Sequence, residues 1–301
     1  MNFEVKNLTK SFGEKQVLKG VSFSVESGAA LGLLGRNGAG KTTTIRIIMG
    51  LFAPNSGEVL LDGKPFDIRH ANVGYMPEER GLYPKKRVLE QLIYFAELRG
   101  LDKKTASKNA DRLLSRLEMT EYKNAKLITL SKGNQQKIQL IATLICDPDI
   151  VILDEPFSGL DPVNAILLKD VVRELIENGK IVIFSSHQMN YIEEICDDIV
   201  ILNNGTVAVE GSIKKIKHGF THGKVIIESD DFADLPQLLE NSRCVSETEM
   251  TEKGLVVKLK DTADMTSLLK VVTRSAATVK SISDYEPDLS EIFVEYTEVE
   301  S

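Results

Sequence analysis

Two kinds of apolar pattern alternate along the first two-thirds of the chain. Phe3-Glu4-Val5 and Val21-Ser22-Phe23-Ser24-Val25 alternate apolar with polar positions, the period-two pattern of half-buried antiparallel strands. Ala29 to Leu34, Ile150 to Leu153 and Ile181 to Phe184 are nearly unbroken apolar runs, as in central strands covered by helices on both faces. Amphipathic stretches separate these runs, and the alternation predicts an α/β sheet. A helix is expected from about Lys41, where Ile45, Ile48 and Met49 share one face and Gly50 stands at the stop.

The pattern changes twice further on. Residues 89–126 carry Leu89, Leu92, Ile93 and Ala96, then Leu113, Leu114 and Leu117, at helical spacing with no strand-like run, so a helical insert is expected at about 89–130. After Gly211 comes a polar, basic stretch, read as a linker or short helix at 212–222. Beyond it the pattern predicts strand 224–228, helix 233–240, strands 245–249 and 254–259, helix 263–274 and strand 279–284. The order βαββαβ is that of a small α+β domain of ferredoxin-like topology. The expected organisation is therefore 1–211, a linker at 212–222 and a C-terminal α+β domain at 223–301.

Composition narrows the class. With 42% hydrophobic and 27% charged residues, a chain of 301 residues has ordinary globular usage, which argues against disorder and fibrous repeats. No apolar stretch approaches the roughly 18 residues of a membrane span, and the polar-apolar start Asn2-Phe3-Glu4-Val5-Lys6 lacks a signal peptide's apolar core. Three widely spaced cysteines (Cys146, Cys196, Cys244) form neither a disulfide framework nor a metal spacing, so a cytoplasmic, reducing location is expected. Lys and Arg total 37 against 44 acidic residues, a net charge of −7, which argues against a general nucleic-acid binder.

The strongest chemical signal is Gly35-Arg36-Asn37-Gly38-Ala39-Gly40-Lys41-Thr42, followed by Thr43, which fits G-x-x-x-x-G-K-[ST] in full. It lies between an apolar run and an amphipathic helix, as a phosphate cradle requires. Glycines let backbone amides turn inward, and the helix N-terminus adds partial positive charge. Lys41 is expected on the β/γ-phosphates and Thr42 on Mg²⁺. The run 150–153 ends in Asp154-Glu155, two carboxylates at the sheet's carboxyl edge. Asp154 is placed to hold Mg²⁺, and Glu155 to orient or deprotonate the attacking water.

With these motifs the chain resembles an ATP-binding cassette (ABC) ATPase, the motor subunit of ABC transporters, over about residues 2 to 211. Leu130-Ser131-Lys132-Gly133-Asn134-Gln135 lies where that family has LSGGQ, departing at Lys132 and Asn134 while keeping Ser131 and Gly133. The resemblance places Ser131 and Gly133 on the γ-phosphate held by an opposite subunit, while Ser131 also reads as a plain N-cap. It further matches Phe12 to the aromatic that stacks on adenine, His187 to the switch histidine on the γ-phosphate, and Ser158-Gly159-Leu160-Asp161 to the D-loop. Asp161-Pro162 is at the same time a good helix start. Glu78, in Tyr75-Met76-Pro77-Glu78, stands where most of the family has glutamine; its carboxylate can still coordinate Mg²⁺ or its water.

What the resemblance implies is an ATP hydrolase using ATP and Mg²⁺, paired face to face with a second nucleotide-binding domain in a homodimer. It also implies a separate transmembrane permease and a peripheral position on the inner face of the cell membrane. The small C-terminal domain and the tail Leu289-Ser290-Glu291-Ile292-Phe293 resemble bacterial exporters of the type that includes sodium-extrusion ATPases. Lys85-Lys86-Arg87 reads either as a solvated run or as a docking element for the membrane subunit. His218 and His222 read as solvated rather than metal-binding. A soluble regulatory ABC protein that binds ATP without a transport role is the competing class.

Overall fold

The computed structural model describes residues 1–79, 81–221, 223–260 and 265–298. Arg80, His222 and the first two positions of the helix expected at 263–274 lie outside the described residues. The chain divides into two compact units, Met1–Ser212 together with the residues from Tyr296 on, and Ile213–Glu295.

In the first unit the elements are β1 (Asn2–Phe12), β2 (Lys15–Glu26), β3 (Ala30–Gly35), α1 (Lys41–Ile48), β4 (Ser56–Leu61), β5 (Lys64–Pro65) and β6 (Val73–Met76). They are followed by α2 (Val88–Leu98), α3 (Lys103–Arg116), α4 (Lys132–Leu144), β7 (Ile150–Asp154), α5 (Pro162–Glu177), β8 (Ile181–Ser185), α6 (Met189–Ile195), β9 (Asp198–Asn203) and β10 (Thr206–Ser212). The alternating segments form β1 and β2, antiparallel partners in a sheet of order β2-β1-β4-β5. The unbroken runs form β3, β7 and β8, adjacent parallel strands inside a sheet of order β10-β9-β3-β8-β7-β6. Every residue of β3, β7 and β8 is buried, which is why these strands are apolar throughout rather than alternating.

Parallel pairing sets the carboxyl ends of neighbouring strands side by side. Leu33 and Asp154 both stand opposite Ser185, and Met76 stands opposite Leu153. The segments leaving β3, β8, β7 and β6 therefore emerge along one sheet edge, where α/β folds bind ligands. The expected insert consists of α2, α3 and two short 3-10 turns at Thr120–Tyr122 and Leu127–Thr129. Its apolar positions Leu92, Ala96, Leu113, Leu114 and Leu117 are buried, and Asp102 caps α3 by accepting from Lys104 and Thr105 amides at 3.0 Å.

The second unit contains α7 (Ile213–Thr221), β11 (Lys224–Ser229), α8 (Leu235–Glu240), β12 (Val245–Thr251), β13 (Gly254–Leu259), α9 (Met265–Val272), β14 (Val279–Asp284) and the start of α10 (Leu289–Glu298). Its antiparallel sheet has the order β12-β13-β11-β14, with α8 and α9 packed through Leu235, Leu239, Leu268 and Val272 onto one core. This is the ferredoxin-like arrangement. The stretch read as a linker or short helix is the helix α7.

Candidate functional site: a phosphate cradle facing buried carboxylates

The loop between β3 and α1 has a backbone that glycine makes possible. Gly40, at φ 114°, caps α1, and a Cβ there would meet Leu18 Cδ2 at 2.5 Å. Arg36, Asn37 and Gly38 are exposed along the loop, Ala39 and Gly40 are buried, and Thr42 and Thr43 lie half-buried in the first turn of α1. Lys41 folds back over the loop. Its Nζ donates to the Gly35 carbonyl at 2.5 Å and the Arg36 carbonyl at 3.4 Å. Burial holds the ammonium pKa below the ordinary lysine value, against the opposing pull of Glu155, Asp154 and Glu78. One cation over the cradle is thus within electrostatic reach of three carboxylates.

Asp154 ends β7 and is 3% exposed, with Oδ1 accepting from Ser185 Oγ. Glu155, 8% exposed, adopts φ 51°, a left-handed conformation unusual for glutamate. Its amide donates to the Ser185 carbonyl at 3.0 Å. Its Oε2 lies 3.3 Å from Ser186 Oγ and 2.9 Å from Nδ1 of the exposed His187. The end of β8 thus supplies hydroxyls to both carboxylates and an imidazole to one. Ser185 and Ser186, 0% and 1% exposed, escaped the reading of the sequence. The signal was there, since two adjacent polar residues ending an apolar strand must find partners when buried.

Burial raises the Asp154 pKa above the usual carboxylate range, with Glu78 adding to the rise, while Ser185 and Lys41 oppose it. The folded state therefore holds this proton more tightly than the unfolded chain does. Stability contributed by the protonated form is present below the ordinary carboxylate value and is lost as pH rises through the raised one. Asp154→Asn should accordingly raise the unfolding midpoint of the nucleotide-free chain near neutral pH, by about 2–4 °C for each kcal/mol recovered. Differential scanning calorimetry checks this, and a lowered midpoint would count against it.

The remaining positions lie around this group. Glu78 is exposed just beyond β6. Phe12 is 45% exposed and packs edge-on against Phe52 at 5.3 Å, with Lys10 Nζ 5.2 Å from its ring centre. Ser131 is exposed and caps α4, accepting from the Asn134 amide at 3.2 Å. Gly133 is buried, and a Cβ there would sit 3.6 Å from Leu160. Asp161 caps α5 through the Asn164 amide at 2.9 Å, with Pro162 in the first turn. Lys41, Asp154, Glu155, His187 and Glu78 are thus brought to one edge, whereas Ser131 begins a separate helix.

No three His, Cys, Asp or Glu side chains cluster as a metal cage among the described residues. The Thr42 hydroxyl with the Asp154 and Glu78 carboxylates is nevertheless a set of hard oxygen donors suited to Mg²⁺ shared with phosphate oxygens. A divalent cation there would also offset the unfavourable burial of the Asp154 charge.

Comparison with known proteins identifies the family. A family model described as ABC transporter matches residues 18–158, and one described as the C-terminal domain of ATP-binding protein DrrA1-3-like matches residues 211–297. The chain is similar to the uncharacterized ABC transporter ATP-binding protein YhaQ of Bacillus subtilis, 40% identical over 97% of each chain. It is also similar to Nod factor export ATP-binding protein I of Burkholderia lata, 32% identical over 89% of each. A solved structure described as the ATP binding subunit of an ABC transporter superimposes with a TM-score of 0.67 at 31% identity, covering 73% of this chain and 93% of that one.

Proposed function

The chain belongs to the ABC transporter ATP-binding proteins, ATP-hydrolysing P-loop proteins, and from that premise we propose that it powers export through a separate transmembrane partner. The observation that carries the site assignment is the meeting of Lys41, Asp154, Glu155 and His187 at one sheet edge, with Glu155 and His187 2.9 Å apart. In this reading the residues from Gly35 to Thr43 cradle the ATP phosphates and Lys41 neutralises the β/γ oxygens. Thr42, Asp154 and Glu78 hold Mg²⁺, which supplies charge neutralisation when bound. Glu155 takes the proton of the attacking water, His187 contacts the γ-phosphate, and Phe12 stacks on adenine.

A second copy supplies Ser131 and Gly133 to complete each site. The exposed cap of α4 suits that role, since a helix N-terminus carries partial positive charge that favours an anion. ATP then favours the closed pair because it bridges both copies, and hydrolysis releases it.

Among the described residues no helix is long and apolar enough to cross a membrane; in this reading the partner carries the cargo path. Support for docking comes from α2 and the loop before it. Tyr83 and Tyr94 are 49% and 46% exposed and line, with Lys86, Glu90 and Gln91, a cavity of about 290 Å³. An aromatic groove bordered by both signs of charge fits a short amphipathic helix of a permease. The export direction draws on the Nod factor export relative.

The test is isolation of the chain from gently solubilised native membranes. One integral membrane protein should accompany it, and Tyr83→Glu with Tyr94→Glu should lose that protein. The purified chain should release phosphate from ATP only with a divalent cation. Capture unaffected by the two glutamates would sink the docking site, and absence of phosphate release would favour a regulatory ATP binder.

A further inference from the structure

A buried polar stripe runs along α4. Gln136, Gln139 and Thr143 follow at helical spacing on one face, and they are only 4%, 4% and 5% exposed. The two glutamine amides donate out of the helix to main-chain carbonyls. Gln136 Nε2 reaches the carbonyl of Pro156 at 3.0 Å and that of Glu155 at 3.5 Å. Gln139 Nε2 reaches the carbonyl of Pro77 at 2.7 Å and that of Glu79 at 3.4 Å. Thr143 Oγ1 donates within the helix to the Gln139 carbonyl at 3.0 Å, with the Tyr75 carbonyl at 3.4 Å. One amide therefore grips the backbone at Glu155, and the next grips the backbone on either side of Glu78.

Packing does not account for Gln139. Its Oε1 is buried without a hydrogen-bond partner among the described residues, an unfavourable state that methionine or leucine would avoid in the same space. Turning the amide round would set that oxygen against the Pro77 carbonyl. What the residue contributes is its donor end, aimed at the loop.

We propose that Gln136 and Gln139 are positioning residues for ATP hydrolysis, through which α4 holds the loops carrying Glu155 and Glu78 in line with the γ-phosphate. The proposal rests on the assignment of those two carboxylates made above. Neither glutamine touches nucleotide, so the loss belongs in kcat rather than in ATP binding. Ser131 caps the same helix, so a nucleotide gripped by that cap in a closed pair would bear, through α4, on the carboxylates of the other site.

Gln139→Met in the full chain keeps the length and burial of the side chain and removes both donors. We expect kcat to fall about 10- to 100-fold with KM for ATP within about three-fold. Amide hydrogen exchange of residues 75–79 in the nucleotide-free chain should accelerate. In a Glu78→Ala background the same substitution should change kcat less than about two-fold, because the side chain it positions is gone. Wild-type kcat and exchange in Gln139→Met, beside an impaired Glu78→Ala, would overturn the positioning role, and so would equal losses in both backgrounds. Wild-type kinetics in Glu78→Ala would instead remove the Glu78 assignment and this half of the proposal with it. Should Gln139→Met fail to fold, Gln136→Met decides by the same split of kcat from KM and by exchange at residues 155–158, where wild-type values overturn it.

Discussion

Glu155→Gln should lower ATP hydrolysis by about 10²- to 10⁴-fold while ATP remains bound, the loss expected when a general base is removed. An amide of nearly the same shape cannot take a proton from water, yet it can occupy the same place. The backbone that aims the side chain does not depend on the carboxylate. The amide of residue 155 is fixed to the Ser185 carbonyl at 3.0 Å, and Gln136 donates to the carbonyls of Glu155 and Pro156. The left-handed conformation at φ 51° costs on the order of 1 kcal/mol or more and persists only where its surroundings hold it. Geometry should thus survive the substitution while chemistry does not. With ATP trapped uncleaved, the closed pair should accumulate, and light scattering with ATP should report a dimer. Single-turnover hydrolysis at the wild-type rate would remove Glu155 from the role of base.

Lys41→Ala should instead strike binding, weakening ATP by about 10- to 100-fold, the scale of losing hydrogen bonds from a charged donor. The Lys41 ammonium is held by the Gly35 and Arg36 carbonyls across the cradle. Phosphate oxygens would replace those partners at the same Nζ. Without the lysine, phosphates must enter beside Asp154, Glu155 and Glu78 with one fewer cation to balance them. Titration with a fluorescent ATP analogue measures the change, and affinity within two-fold of wild type would refute the assignment. The two variants separate the halves of the site, one losing the grip on phosphate and the other the reaction that follows.

Much of this was legible from residue order. The period-two segments became β1 and β2 because one sheet face is buried, and the unbroken runs became β3, β7 and β8 because both faces are. The ferredoxin-like unit followed from its βαββαβ order, since alternation and turn residues are local signals. The helix α7 was harder to read, because the stretch is short and basic and buries one residue, Ile213, although Ile213, Ile216 and Phe220 fall at helical spacing. The phosphate loop could be read directly, for its chemistry depends on consecutive residues.

Ser185, Ser186, Gln136 and Gln139 could not be assigned in that way. Their partners lie between 19 and 62 positions away along the chain, and a polar residue next to an apolar run has no partner until strands pair and helices pack. By itself the sequence determined the strand and helix types, the phosphate cradle and the paired carboxylates, because each is written in residues close together. Only tertiary structure decided which strand ends share an edge, which hydroxyls serve Asp154 and Glu155, and which helix grips their loops. Those choices are made by sheet order and by the burial of hydrogen-bonding groups, properties of the folded chain rather than of any segment within it.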